Sequence, residues 1–300
     1  MGLNPAGVTM KKVSMFFENA KPFSQLVGLF FLLLVGMIMA GGVQALIPIE
    51  GEGAGQIRMM LVVQAVSQLL MFLIPVLVFA GLFHPGIGSY LKLNGKGSWR
   101  LALIGMVMVV LLMPLNDVLT WWNEGWRFGP IEESMRRMSE MEKEMLEKMV
   151  SLTTVGDLVL QLVIIALVPA VCEELFFRGG VQQILSGWFK NRHVAVIVAA
   201  LVFSLAHGDM YGAVPRFVMG LLLGYLFAYS GSMVVNISAH FFNNAAIVVM
   251  YYLYNRGELS MSPTEPLLMP WYVVVMCTVA VGILFVVYFL KNSSKEQSNL

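Results

Sequence analysis

The sequence predicts an all-α fold, a polytopic membrane helix bundle of about eight transmembrane helices with one amphipathic helix beside them. Three observations carry that expectation. Of 300 residues, 58% are hydrophobic and 12% charged, with a mean hydropathy of +0.77, whereas soluble domains carry about 25% charged residues. Apolar segments recur along the whole chain, separated by Gly, Pro and charge. One stretch, 130–150, breaks that pattern with charges and methionines at helical spacing. No fixed-period repeat and no long linker divides the chain, so residues 1–300 read as a single membrane domain.

The apolar segments fall at 26–47, 59–83, 101–121, 155–175, 194–207, 215–230, 232–254 and 271–290. The first follows Lys11, Lys12 and Lys21, as in a signal peptide. Its apolar run, Leu26 to Ile49, outlasts the about 7–15 residues of a cleaved core and reads as a retained anchor helix. With eight spans, one side receives Lys11, Lys12, Lys21, Lys92, Lys96, Arg100, Arg178, Lys190, Arg192, Lys291 and Lys295, and the other Arg58, Arg216 and Arg256, once the amphipathic segment is set aside. Eleven cations against three place both termini in the cytoplasm of a bacterial-type membrane. Segment 122–152 is expected outside the bilayer. Within it Pro130 suits a first helical position, Glu132/Arg136 and Glu133/Arg137 can pair across a turn, and Ile131, Met135, Met138, Met141, Met145 and Met149 form a stripe. That stripe either packs on the bundle or covers a cavity, since methionine surfaces adapt to varied partners.

A net charge of +1 and the lack of any nucleic-acid motif exclude a nucleic-acid partner. The expected partners are the lipid bilayer and a membrane-associated protein or peptide; the sequence leaves the oligomeric state open. Two cysteines, Cys172 and Cys277, are too few for a disulfide framework.

Three polar intrusions interrupt the apolar second half. The first is Glu173-Glu174-Leu-Phe-Phe-Arg178, preceded by an uncharged run from Leu158 to Val171. An unpaired charge at bilayer depth costs at least about 2.5–3.5 kcal/mol, so the arginine four residues on must hold one carboxylate, leaving the other for work. The second is Phe203-x-x-x-His207 and the third His240-x-x-x-Asn244, each placing its ends on one helix face. As a set these residues can hydrolyse. Glu173 suits a general base on water, His207 can orient that water, and His240 with Asn244 can donate to a developing oxyanion. Equally, Glu173, His207 and His240 are the ligand inventory of a divalent metal such as zinc, and the sequence does not separate the two chemistries. There is no HExxH, GxGD or GxSxG signature.

These motifs, in this order, resemble the CPBP intramembrane proteases, also called the Abi or CAAX-protease family. The resemblance covers about residues 155–250. It implies an eight-helix membrane endopeptidase with Glu173, His207, His240 and Asn244 in catalytic positions and Glu174 and Arg178 supporting them. It also admits a non-enzymatic scaffold or immunity-type role. A transporter is disfavoured because the halves show no internal symmetry. Simple alternation of spans would put Glu173 and His207 at opposite ends of neighbouring helices. The fourth helix is therefore expected to continue through Gly179-Gly180 towards Leu185, or the fifth to start late and tilt.

Overall fold

A backbone in hydrocarbon has only itself to bond, so apolar runs of membrane length become helices. In the computed structural model, residues 17, 19–47, 53–95 and 99–290 are described. They form α1 (Pro22–Leu46), α2 (Ala54–Phe83), α3 (Trp99–Glu124), α4 (Glu132–Met149), α5 (Val155–Phe189), α6 (Arg192–Leu205), α7 (Met210–Ser230), α8 (Met233–Asn255) and α9 (Trp271–Phe289). Among the described residues seven of these, all except α4 and α6, are long and apolar enough to cross a membrane. Each of the eight expected segments falls on a helix. Lys11, Lys12, Lys96, Lys291 and Lys295 lie outside the described residues.

Two boundaries differ from the sequence reading, each for a physical reason. The fifth segment, α6, is a helix of 14 residues, about 21 Å long, and stops short of the about 30 Å of a hydrocarbon core. Its last turn closes with the Ala206 N–H on the Val202 carbonyl at 3.0 Å, and Gly208 at φ +78° then turns the chain away, leaving His207 past the helix end. The fourth helix, α5, does not stop at its charges. It runs 35 residues, about 52 Å, through Gly179 and Gly180, because Arg178 is paired inside the bundle and gives the chain no reason to leave it. Arg178, 1% exposed, thus drops out of the loop cations that set orientation.

Proline shapes the two spans that meet at the site. Pro75 in α2 and Pro169 in α5 each lack the backbone N–H that a regular turn needs. The preceding residues Leu69–Leu73 and Leu162–Leu167 widen into π-helical turns that absorb the mismatch. At its first turn α5 is tied to α2 by Arg58 and Asp157, 2.8 Å apart, with Thr154 capping the helix through the Asp157 N–H at 3.1 Å.

Among the described residues apolar packing gathers into three clusters, the smallest joining Met60 and Leu61 of α2, Met149 of α4 and Ile164 of α5. Of the other two, the first joins α1, α2, α5 and α6 around Leu29, Phe79, Phe176 and Phe177. The second joins α3, α7, α8 and α9 around Met108, Leu223 and Val235. An edge-to-face series of rings crosses the first: Phe72 to Phe176 at 5.3 Å, Phe176 to Phe177 at 5.2 Å and Phe177 to Phe203 at 5.2 Å. α6 and α7 meet through the Gly220-x-x-x-Gly224 motif, which serves close packing within the bundle: a Cβ on Gly224 would stand 2.8 Å from Val196 and one on Gly220 3.2 Å from Ala200.

The amphipathic helix α4 lies against the loop side of this bundle. Glu132–Arg136 pairs across its own turn at 3.1 Å, Lys143 reaches Glu124 at 3.0 Å, and Glu142 reaches Arg216 of α7 at 3.0 Å. Its methionine stripe is not buried throughout. Met149 packs inward, while Met141 and Met145 are 60% and 51% exposed and line a cavity of about 470 Å³ together with α2.

Because the α6–α7 contact leaves no room for side chains at its glycines, Gly224→Leu is expected to lower stability by about 1–3 kcal/mol, seen as a lower Tm in detergent. Gly187→Ala, where nothing stands within 4 Å, should leave the Tm unchanged or raise it.

Candidate active site

The carboxylates Glu173 and Glu174 are adjacent in sequence but meet different surroundings. Glu174 opens a π-helical stretch of α5, Glu174–Gln182, and is 0% exposed. Its Oε1 accepts from Arg178 Nη1 at 2.8 Å and from His240 Nδ1 at 2.8 Å. Its Oε2 accepts from Asn236 Nδ2 at 3.0 Å. Arg178 donates its Nη2 to the Gly220 carbonyl at 3.2 Å and lies 4.5 Å above the Phe203 ring. Asn236 also donates to the Leu223 carbonyl at 2.6 Å. One buried ion pair therefore binds α5 to α6, α7 and α8, and every charge in it has hydrogen-bond partners.

That network fixes the chemistry of His240. An ionised carboxylate only accepts, so Nδ1 of His240 carries the proton it gives to Glu174, and Nε2 is the nitrogen turned to the other carboxylate. It stands 3.9 Å from Glu173 Oε2. Glu173 has no arginine beside it. Its Oε1 accepts from Gln68 Nε2 at 3.4 Å, and with His207 it lines a cavity of about 260 Å³ whose other walls include Gln64, Gln68, Phe72 and Phe177. His207 stands at the mouth of this cavity, past the end of α6. Its Nδ1 donates to the Phe203 carbonyl at 2.8 Å, so in the neutral ring Nε2 is the acceptor. Its ring is edge-on to Phe203 at 4.9 Å, the last member of the aromatic series.

Of the six residues singled out in the sequence, five come together: Glu173, Glu174, Arg178 and His240 in contact, and His207 across the same cavity from Glu173. The opposite-ends difficulty is resolved by the continuation of α5. Asn244 is placed differently. It lies one turn past His240 on α8, and its Oδ1 accepts from Asn243 Nδ2 at 3.2 Å. Two residues escaped the sequence reading. Asn236 precedes His240 by four, extending its motif to Asn236-x-x-x-His240-x-x-x-Asn244. Gln68 belongs to a polar row, Gln64, Ser67 and Gln68, in the second apolar segment. Neutral amides in an apolar run were the available signal.

The divalent-metal expectation does not fit this arrangement. Among the described residues no three His, Cys, Asp or Glu side chains gather into a metal-holding set. No step below is routed through a metal.

Residues 155–246 match the family model described as type II CAAX prenyl endopeptidase, Rce1-like. The chain carries the CAAX-protease (CPBP) family segment. No curated protein and no solved structure matches it. Over that segment the chain is similar to a family of membrane endopeptidases, and its apolar helices make it an integral membrane protein. The matched segment of this CAAX-protease-like chain spans α5 to the middle of α8 and contains Glu173, Glu174, Arg178, His207, Asn236, His240 and Asn244. It does not reach α1 to α4, so Gln68 stands on a helix outside it.

Removing one partner of a buried pair strands the other charge. Arg178→Ala is expected to cost about 3–5 kcal/mol, while the apolar double variant Glu174→Met with Arg178→Met should recover much of that loss. Thermal unfolding of both in detergent checks this, and a double variant less stable than the single one contradicts it.

Proposed function

We propose that the protein is an intramembrane endopeptidase that hydrolyses a peptide bond of a membrane-associated protein or peptide, with residues 155–250 as its catalytic core. The observation that carries this reading is that Glu173 and His207 face one cavity while Glu174, Arg178 and His240 are locked behind them.

Glu173 acts as the general base. It takes a proton from a water held between its carboxylate and His207 Nε2, and the hydroxide adds to the scissile carbonyl carbon. The oxygen of that carbonyl becomes an oxyanion. His240, protonated on both nitrogens, donates to it through Nε2–H while Glu174 balances the imidazolium charge from Nδ1, as a carboxylate does in a catalytic triad. Asn244 is the second donor: its Oδ1 is taken by Asn243, so its amide N–H is the donating end. Glu173 then passes the proton to the departing amine. Water and peptide give a carboxylic acid and an amine, and the enzyme returns to its starting state.

Lys21, Lys92, Lys190 and Arg192 stand at one set of helix ends and Arg58, Arg216 and Arg256 at the other, which supports cytoplasmic termini in a bacterial-type membrane. The carboxylate then sits on the middle of a long helix, about 27 Å from Val155, reached through the cavity that opens beside His207.

In proteoliposomes with a panel of membrane-anchored peptides, Glu173→Gln is expected to lower cleavage by about 10²–10⁴-fold at unchanged Tm. Wild-type rates in that variant would remove the proposal. Binding of a partner without cleavage by the wild type would return the reading to a non-enzymatic scaffold.

A further inference from the structure

The cavity wall facing Glu173 comes from a part of the chain that the family segment does not include. α2 turns Gln64, Ser67 and Gln68 toward it, and Gln44, near the end of α1, donates to Ser67 Oγ at 3.2 Å. Polar side chains on successive turns of a membrane helix are costly unless something engages them. Gln68 is the telling one. Its Nε2 is on Glu173 at 3.4 Å, and its Oε1 is buried without a hydrogen-bond partner. A primary amide with one end bonded and the other buried and unmatched lacks a donor, and a buried lone acceptor costs about 1–3 kcal/mol until one arrives.

Beyond this row the space continues. Gln44 and Gln64 line both the Glu173 cavity and the larger one of about 470 Å³ beneath α4, whose remaining walls include Met60, Met141, Met145 and Met149. The two adjoin at Gln44 and Gln64 as a cleft in two parts, amide-lined beside Glu173 and His207 and methionine-lined further out. α4 is fixed over the outer part by its ion pairs to Arg216 and Glu124, each 3.0 Å. An extended peptide has this same alternation, a backbone N–H that seeks a carbonyl oxygen and a side chain that seeks a pocket. Long, polarisable methionines accept apolar side chains of varied shape.

We propose, building on the endopeptidase reading, that this cleft is the substrate-binding subsite. Gln68 Oε1 accepts a backbone N–H of an extended peptide beside the scissile bond, and the methionine chamber under α4 takes a large apolar side chain of that peptide. Gln68 both binds substrate and positions Glu173, and Met145 sets side-chain preference.

The test uses wild-type protein in proteoliposomes and one cleaved membrane-anchored peptide. Its analogues replace single backbone N–H groups near the bond by an ester oxygen, or carry Ala, Leu or Phe at the neighbouring side chain. In the wild type, one ester position is expected to raise KM roughly tenfold. Gln68→Met should show a similarly raised KM on the amide peptide and no further rise on that ester. Met145→Trp, at a half-exposed position where folding is not at issue, should shift preference from Phe towards Ala by roughly tenfold. The proposal is overturned if Gln68→Met still discriminates amide from ester as the wild type does, or if Met145→Trp leaves the preference unchanged. Should Gln68→Met fail to fold, the Met145→Trp arm decides alone. A wild type that cleaves no peptide overturns the endopeptidase reading itself, before any variant is compared.

Discussion

A carboxylate that cannot stand alone in hydrocarbon organises this molecule. Glu174 is fully buried, and the groups that satisfy it lie on different helices: Arg178 one turn along α5, and Asn236 and His240 on α8. Arg178 and Asn236 in turn spend their remaining donors on the carbonyls of Gly220 and Leu223 in α7. Leaving any member unpaired costs several kcal/mol in such surroundings, so the helices hold one register. That register turns His240 Nε2 towards Glu173, which lines the cavity, and sets the Phe203 ring between Arg178 and His207.

The two neighbouring glutamates illustrate how identical side chains are given different tasks. Glu174 has its oxygens filled by an arginine, an imidazole and an amide, and is structural. Glu173 receives one long hydrogen bond from Gln68 and a histidine at 3.9 Å, and is left with capacity to bind and deprotonate water. The division of labour follows from burial and partners. α2 carries a proline-linked π-helical turn just after Gln68 and α5 one just before Glu173, so both spans depart from regular helix where these two residues meet.

Much of this was legible in the sequence because charge inside an apolar run is a strong signal. Glu173, Glu174, Arg178, His207 and His240 all announced themselves that way, and the apolar segments marked the helices. The length of α5 was harder to read, since hydropathy falls at Arg178 whether the helix ends there or the charge is neutralised by Glu174. The partners that decide between these cases, Gly220, Leu223 and Asn236, sit 42 to 62 residues away in sequence. Gln68 and Asn236 were overlooked because a neutral amide perturbs hydropathy little, although a buried amide needs its hydrogen bonds as much as a charge needs its partner. Asn244 shares the His240 face of α8 by its spacing of four, and its Oδ1 accepts from Asn243 Nδ2 at 3.2 Å.

Glu173 faces a cavity open to water within the bundle, while the residues behind it are sealed. Thiol labelling in intact membranes tests it directly, with Cys172 and Cys277 replaced by Ala and a single cysteine placed at position 173 or at position 223, where Leu223 is 0% exposed. A membrane-impermeant, water-borne thiol reagent should label the cysteine at 173 and spare the one at 223. Protection of position 173 from that reagent, together with labelling by a lipid-soluble one, would place the carboxylate against acyl chains and contradict the account.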